Sequence, residues 1–366
     1  MFTATQLIGF MAGGDDPIIT SIQQCTITIA AGATEGEASA LSPAVTLALA
    51  SEHFLGFITD NTSSTSQHEY RPRIKLVDDG GTIKLKAYRN TSDATFTVTV
   101  KAAVIAWHTR AISSIVRGEV ALASTVTSAT DTVSVTKDNS AIFYLGETCD
   151  STTSSVYARS TTNIQLTDDS TVTARRDTGT GATDTGYVLV NFNSGILDGV
   201  VQHFVVTVAS AGATGTATIT AIDTARTMLG FGGCSSASSN DNGGRMAYIA
   251  LTATDTVTGT KTLTSGGDAI LYGCAIQFKS QDILSIERDV ITIAGGATTG
   301  DDTITAVTVA KTLPNYLGLT TGSNSTVPEV NAHLHLESTT VMRATRNTLD
   351  ASLTVSVSHE AVQFRF

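Results

Sequence analysis

Aromatic residues make up only 6% of this 366-residue chain and charged residues only 15%. Cysteine and proline are scarce, at four and five, and no apolar run approaches the ~18 residues that a membrane helix requires. Each shortage excludes something. With 22 Lys and Arg against 33 Asp and Glu the net charge is −11, so the chain lacks the basic excess with which a general nucleic-acid binder neutralises phosphates. Met1 to Thr20 carries no Lys or Arg ahead of its short apolar patch. That argues against a secretory leader and for an N-terminal docking arm or strand over residues 1–19, ended by the turn signal Gly13-Gly14-Asp15-Asp16-Pro17. Folding in a cytoplasm is the expectation. Cys25, Cys149, Cys234 and Cys274 show no C-x-x-C spacing and read as small buried hydrophobes, a Cys149–Cys234 bridge being the lesser alternative. Nucleophile-elbow, zinc-protease, Walker and dinucleotide motifs are missing, and "GATGTAT" from Gly212 lacks the lysine and helix of a phosphate loop. The expectation is a chain that is not an enzyme and needs no cofactor or metal.

What is abundant is Thr, Ser, Ala, Val and Gly. Thr and Val suit a pleated, half-buried surface, and 31 glycines suit many tight turns. Helix-period stripes of useful length are absent, so the class is all-β.

Three landmarks recur in one register. Segments starting "SIQQCTITI", "SIVRGEVAL", "GVVQHFVVT" and "SIERDVITI" place Ile22, Ile115, Val200 and Ile286 at intervals of 93, 85 and 86. Corners "FLG", "YLG", "MLG" and "YLG" place Gly56, Gly146, Gly230 and Gly318 at intervals of 90, 84 and 88. Closing aromatics Trp107, Phe192, Phe278 and Phe364 follow at 85, 86 and 86. Four units result: 20–109, 110–194, 195–280 and 281–366. Within them the pattern has period 2. In "RIKLVDDGGTIKLKAYR", Ile74, Leu76, Ile83, Leu85 and Ala87 face inward, and a glycine turn joins two strands. Ile164, Leu166, Val172 and Ala174, then Leu334, Leu336, Met342 and Ala344, repeat the inward set. Short strands in an ~85-residue unit predict four tandem β-sandwich repeats of immunoglobulin-like size, without the tryptophan and cysteine hallmarks of immunoglobulin domains. Short, proline-free connections predict stiff joints, with the units either in a row or folded back in pairs.

"LKAYRNTSD", "TARRDTGTG" and "RATRNTLDA" repeat an arginine beyond an inward alanine: Arg89, Arg176 and Arg346, with Lys261 at that place in the third unit. The expected role is structural, each fork capping a unit's open end by bonding loop carbonyls or a neighbour's carboxylate; the functional alternative is a repeated anion or glycan site. His333, His335 and Glu337 alternate on one strand at metal-ligand spacing, but Arg73, Lys75 and Val77 replace them in the first unit, so a solvated face is expected. Arg71, Arg73, Lys75, Lys84 and Lys86 form the one strongly basic face, a solvated surface or a candidate docking face for an acidic partner.

The motifs "TITIAAGAT", "VVTVASAGAT", "VITIAGGAT", "TVTARRDT" and "AVQF" give the chain from about residue 20 a composition that resembles structural proteins of tailed bacteriophages. That resemblance implies a non-enzymatic virion component, decorating the capsid or belonging to the neck or tail, assembled in the host cytoplasm. It implies a homo-oligomer that contacts other virion proteins and a host surface; the net charge and the lack of a long apolar run add the expectation of no nucleic-acid partner and no membrane insertion. The rival from another class is a bacterial surface adhesin or glycan-binding repeat protein. A polysaccharide depolymerase would need a carboxylate cluster and more aromatics for stacking sugars.

Overall fold

The computed structural model describes residues 17–60, 71–91, 95–150, 161–177, 181–236, 246–262, 267–322, 331–347 and 353–365; most of the expected N-terminal arm, residues 1–16, lies outside them. The chain is all-β. Unit 1 contributes β1 (Ile19–Ile29), β2 (Glu35–Glu37), β3 (Ala50–Thr59), β4 (Arg73–Asp79), β5 (Thr82–Tyr88) and β6 (Val98–Trp107). Unit 2 supplies β7 (Ile112–Leu122), β8 (Ser128–Thr132), β9 (Ser140–Cys149), β10 (Asn163–Asp168), β11 (Thr171–Arg175) and β12 (Thr183–Phe192). Unit 3 supplies β13 (Gln202–Val208), β14 (Thr214–Thr218), β15 (Thr227–Ser236), β16 (Tyr248–Ala253), β17 (Thr256–Thr260) and β18 (Ala269–Gln277). Unit 4 supplies β19 (Ile283–Ile293), β20 (Thr299–Thr303), β21 (Thr312–Thr321), β22 (His333–Ser338), β23 (Val341–Thr345) and β24 (Val355–Phe364).

In every unit the first, sixth and third strands pair, and the second, fifth and fourth pair separately. The predicted inward residues are buried between these two halves, Ile83 only in part. The β4–β5 turn is the two-residue Gly80-Gly81, both at positive φ, as expected from the glycine pair.

Self-contained sandwiches in a row do not form. The third strand of each unit pairs with the fourth strand of its neighbour: Gly146 with Arg73, Gly233 with Asn163, Gly318 with Tyr248, and Gly56 with His333. The last pairing joins unit 4 back to unit 1, so the ring closes. Each six-stranded antiparallel sheet takes three strands from one unit and three from the next, and the four sheets stand as the blades of a four-bladed β-propeller. The physical reason is edge protection. A three-stranded half-sheet standing alone would leave its third and fourth strands unpaired, and ring closure pairs both.

The junction explains the recurring corner glycine. Gly56, Gly146, Gly233 and Gly318 all have positive φ, and a Cβ on any of them would collide with a neighbouring carbonyl, of Ala332, Pro72, Thr162 and Ala247 respectively. The third corner is thus Gly233, not the Gly230 of the "MLG" alignment, because "FGG" rather than "MLG" makes the turn. Likewise Val201, which is buried, holds the place of Ile22, while Val200 is 53% exposed.

First strands tie each unit to the one before it. Arg117 Nε donates to both oxygens of buried Glu52, at 3.0 and 2.8 Å, and its other nitrogens reach the Leu47 and Ala50 carbonyls. His203 and Arg288 address the equivalent carbonyls, of Lys137 and Ser140 and of Thr224 and Thr227. Arg288 also donates to buried Glu360, whose second oxygen accepts from the Leu229 N–H of unit 3. Charges buried and fully bonded in this way fix register between units that share few covalent links.

Candidate binding site at the open end of the axis

The third strands β3, β9, β15 and β21 contact one another in sequence around the centre of the ring. At one end the closing aromatics of the four units meet. Trp107–Phe192, Phe192–Phe278, Phe278–Phe364 and Phe364–Trp107 lie 5.5, 5.5, 5.8 and 6.0 Å apart, every pair edge to face. All four are at most 1% exposed, so this end is sealed.

Above the seal, side chains of the third strands fill the axis. Trp107 Nε1 donates to Ser51 Oγ at 2.8 Å, Ser51 Oγ lies 3.1 Å from His53 Nε2, and the His53 ring meets Phe143 at 4.5 Å. Burial holds His53 neutral, its pKa lowered to about 3. Across the axis Asn315 donates to the Leu229 carbonyl and to Glu360.

At the other end each third strand presents one half-buried aromatic two residues before its corner glycine: Phe54, Tyr144, Phe231 and Tyr316. Phe54 meets Tyr144 and Phe231 meets Tyr316, each at 6.2 Å and edge to face. A cavity of about 110 Å³ opens among the four, lined further by Met246, Leu319, Thr162 and Glu147. His53, Phe143 and Asn315 close the floor, and only about 10 Å³ remains between them and the four rings. The one carboxylate of the lining is already paired: Glu147 bonds buried Arg71 and accepts from the Thr162 N–H and hydroxyl. Such a site offers aromatic faces and shape to an apolar group rather than a charge to be met.

Most residues singled out from sequence lie elsewhere, although Cys234 lines this cavity and Arg71 pairs with its Glu147. Arg89 donates to the carbonyls of Ala33, Phe96 and Ala30; Arg176 to those of Val126, Gly181 and Ala123; Arg346 to those of Ala297, Leu353 and Ala294. Each guanidinium is buried and bridges two loops of its own unit, and Lys261 does the same with the Ser210 and Gly267 carbonyls. The basic face is largely neutralised. Arg71 is buried against Glu147, Arg73 pairs with Glu119 and lies over Tyr88, Lys84 pairs with Glu37 and Asp79, and Lys86 pairs with Glu35. Lys75 stands on the same strand, half-buried. His333 is buried, with a pKa lowered to about 3 by burial, and His335 bonds Glu337 at 2.8 Å. Among the described residues no three His, Cys, Asp or Glu converge as a metal site. Cys149 and Cys234 are free thiols, and burial pushes Cys234 up to about 12. Among the described residues no helix is long and apolar enough to cross a membrane.

Sequence reasoning passed over the mouth quartet, although three of its members stand in the corner motifs. The fourth, Phe231, was hidden by placing "MLG" rather than "FGG" at the third corner. The chain matches no protein-family model and no curated protein sequence.

Proposed function

We propose that this chain is a non-enzymatic structural component of a bacteriophage virion that acts through protein–protein contacts, as a capsid decoration or a neck or tail part. The observation that carries the reading is how the ring divides its resources. Buried ionic groups bind unit to unit, and partly exposed aromatics gather at one end of the axis, as befits a stiff part that docks end-on. Its resemblance to phage structural proteins supplies the setting. The test is quantitative mass spectrometry of DNA-containing particles from the source culture. Presence in hundreds of copies per particle indicates a decorator, and a few to dozens a neck or tail part. Absence from particles, with the protein on cells or in the medium, removes the virion reading.

A second reading, a glycan-binding adhesin, is favoured by one off-axis hollow. About 420 Å³ opens between units 2 and 3, lined by Asn163, Arg175, Ser128, Ser235 and Tyr272. In unit 1 the place of Asn163 is taken by Arg73, which packs over Gly186 and fills the equivalent fold. A mixed set of donors and acceptors beside a tyrosine suits sugar hydroxyls. Binding on a glycan array that is lost in Arg175→Ala would support this reading over the first.

A further inference from the structure

The segment "MFTATQLIGFMAGGDD" holds Phe2, Leu7, Ile8, Phe10 and Met11 and no charged side chain before Asp15. The place where the described chain begins gives this apolar segment a direction. Ile18 and Ile19 are fully buried, Ile19 pairs with Trp107, and the Ile18 carbonyl accepts from the His108 N–H. Residues 1–16 therefore join the ring at its sealed end. The aromatic cavity, with room for one large apolar side chain, is at the opposite end of the same axis. The described chain thus enters the ring at one end of the axis and forms an apolar socket at the other.

We propose that copies of this chain associate head to tail along the axis, the segment 1–16 of one ring seating a large apolar side chain in the axial mouth of the next. Sixteen residues extend to about 50 Å, ample to span the gap between stacked rings. The contact is heterologous: it joins unlike surfaces, so it builds a column until a different partner occupies the last mouth. The paired Glu147 of the cavity and the absence of charged side chains from residues 1–14 match each other, since seating such a side chain buries no unpaired charge. The proposal stands whether or not the chain belongs to a particle.

Analytical ultracentrifugation of the full chain is expected to show concentration-dependent oligomers, and deletion of residues 1–16 a monomer with the same far-ultraviolet spectrum. A fluorescent peptide of residues 1–16 should bind the truncated ring. Phe231→Ser with Tyr316→Ser in the ring, or Phe10→Ser with Leu7→Ser in the peptide, should each weaken binding about tenfold or more. The peptide variants leave the ring untouched, so they stay informative if the mouth variant fails to fold. Val205→Ser, at an exposed position of a first strand, should leave binding unchanged. A full chain that is monomeric at all concentrations while the peptide still binds the truncated ring overturns stacking and seats each segment in its own mouth. No peptide binding, or binding indifferent to both the mouth and the peptide changes, overturns the proposal altogether.

Discussion

The two ends of the axis are built by the same four units, each donating one aromatic, yet one end is sealed and the other open. At the sealed end the rings sit at the ends of the sixth strands, where four edge-to-face contacts complete a circuit. At the mouth the same number of rings makes two separate pairs with a cavity among them. The difference lies in the backbone. Each mouth aromatic is followed within three residues by a register shift at the corner glycine, where its strand leaves its own sheet partner's register to meet the neighbouring unit. Symmetry of sequence therefore does not dictate symmetry of packing, and local strand geometry decides whether four rings become a core or a site.

Phe278→Ala should separate the two ends most sharply. It removes a fully buried ring that touches two others, and truncation of such a residue costs about 3–5 kcal/mol. Urea unfolding followed through Trp107, the single tryptophan and itself part of the seal, reads the effect directly. A cost below 1 kcal/mol would mean that the seal is ornamental and the contrast between the ends is lost.

The ionic stitches come next. Arg117→Met leaves the fully buried Glu52 carboxylate without its cation and should cost about 3 kcal/mol or more, whereas adding Glu52→Leu to it should recover a large part of the loss. If the double variant is no more stable than the single one, the carbonyl bonds of Arg117 to Leu47 and Ala50, rather than the ion pair, hold units 1 and 2 in register.

Acid should act on the interior of the axis and the closing junction. His53 and His333 have folded pKa values of about 3, and His359 about 4, each lowered by burial from an ordinary 6.5. Below pH 6.5 the unfolded chain takes up protons that the folded chain refuses. Stability is therefore fully present above pH 6.5 and falls with falling pH, by about 1.4 kcal/mol per pH unit for each such histidine, until the folded values are reached. His53→Phe should make the decline between pH 6 and 4 shallower by one histidine's share in a series of denaturant titrations. An unchanged slope would show that His53 is not held neutral in the axis.

Much of this was legible in the chain. Period-2 alternation marked strands and their inward residues, and the spacing of Trp107, Phe192, Phe278 and Phe364 marked four units whose ends turn out to meet. What could not be read was closure. Whether Gly56 is a turn within its own unit or a close approach to His333, some 280 residues later, depends on a backbone contact that leaves no pattern in local sequence. The role of Arg117 and Arg288 was equally hidden: they share a place in the aligned first strands, but other charged residues stand beside them, Glu119 on one strand and Glu287 and Asp289 on the other, and their partners are mainly carbonyls. The mouth was half visible: an aromatic in three of the four corner motifs suggested a structural corner, and nothing in the spacing distinguished an exposed ring from a buried one.

The smallest effect is the one that defines the open end. Phe231→Ala removes a ring that is only half-buried and stands over a floor already closed by His53, Phe143 and Asn315. Truncating a core residue is costly because a sealed void is left behind, but here the space left would open to solvent and join the existing cavity. Only the lost contact with Tyr316 and part of the transfer free energy remain, about 1 kcal/mol or less. The same urea experiment, read through Trp107 at the far end of the axis, places this variant beside Phe278→Ala on one scale. A loss of 3 kcal/mol or more would make the mouth quartet part of the core, and the cavity among its rings a packing defect rather than a place for a partner.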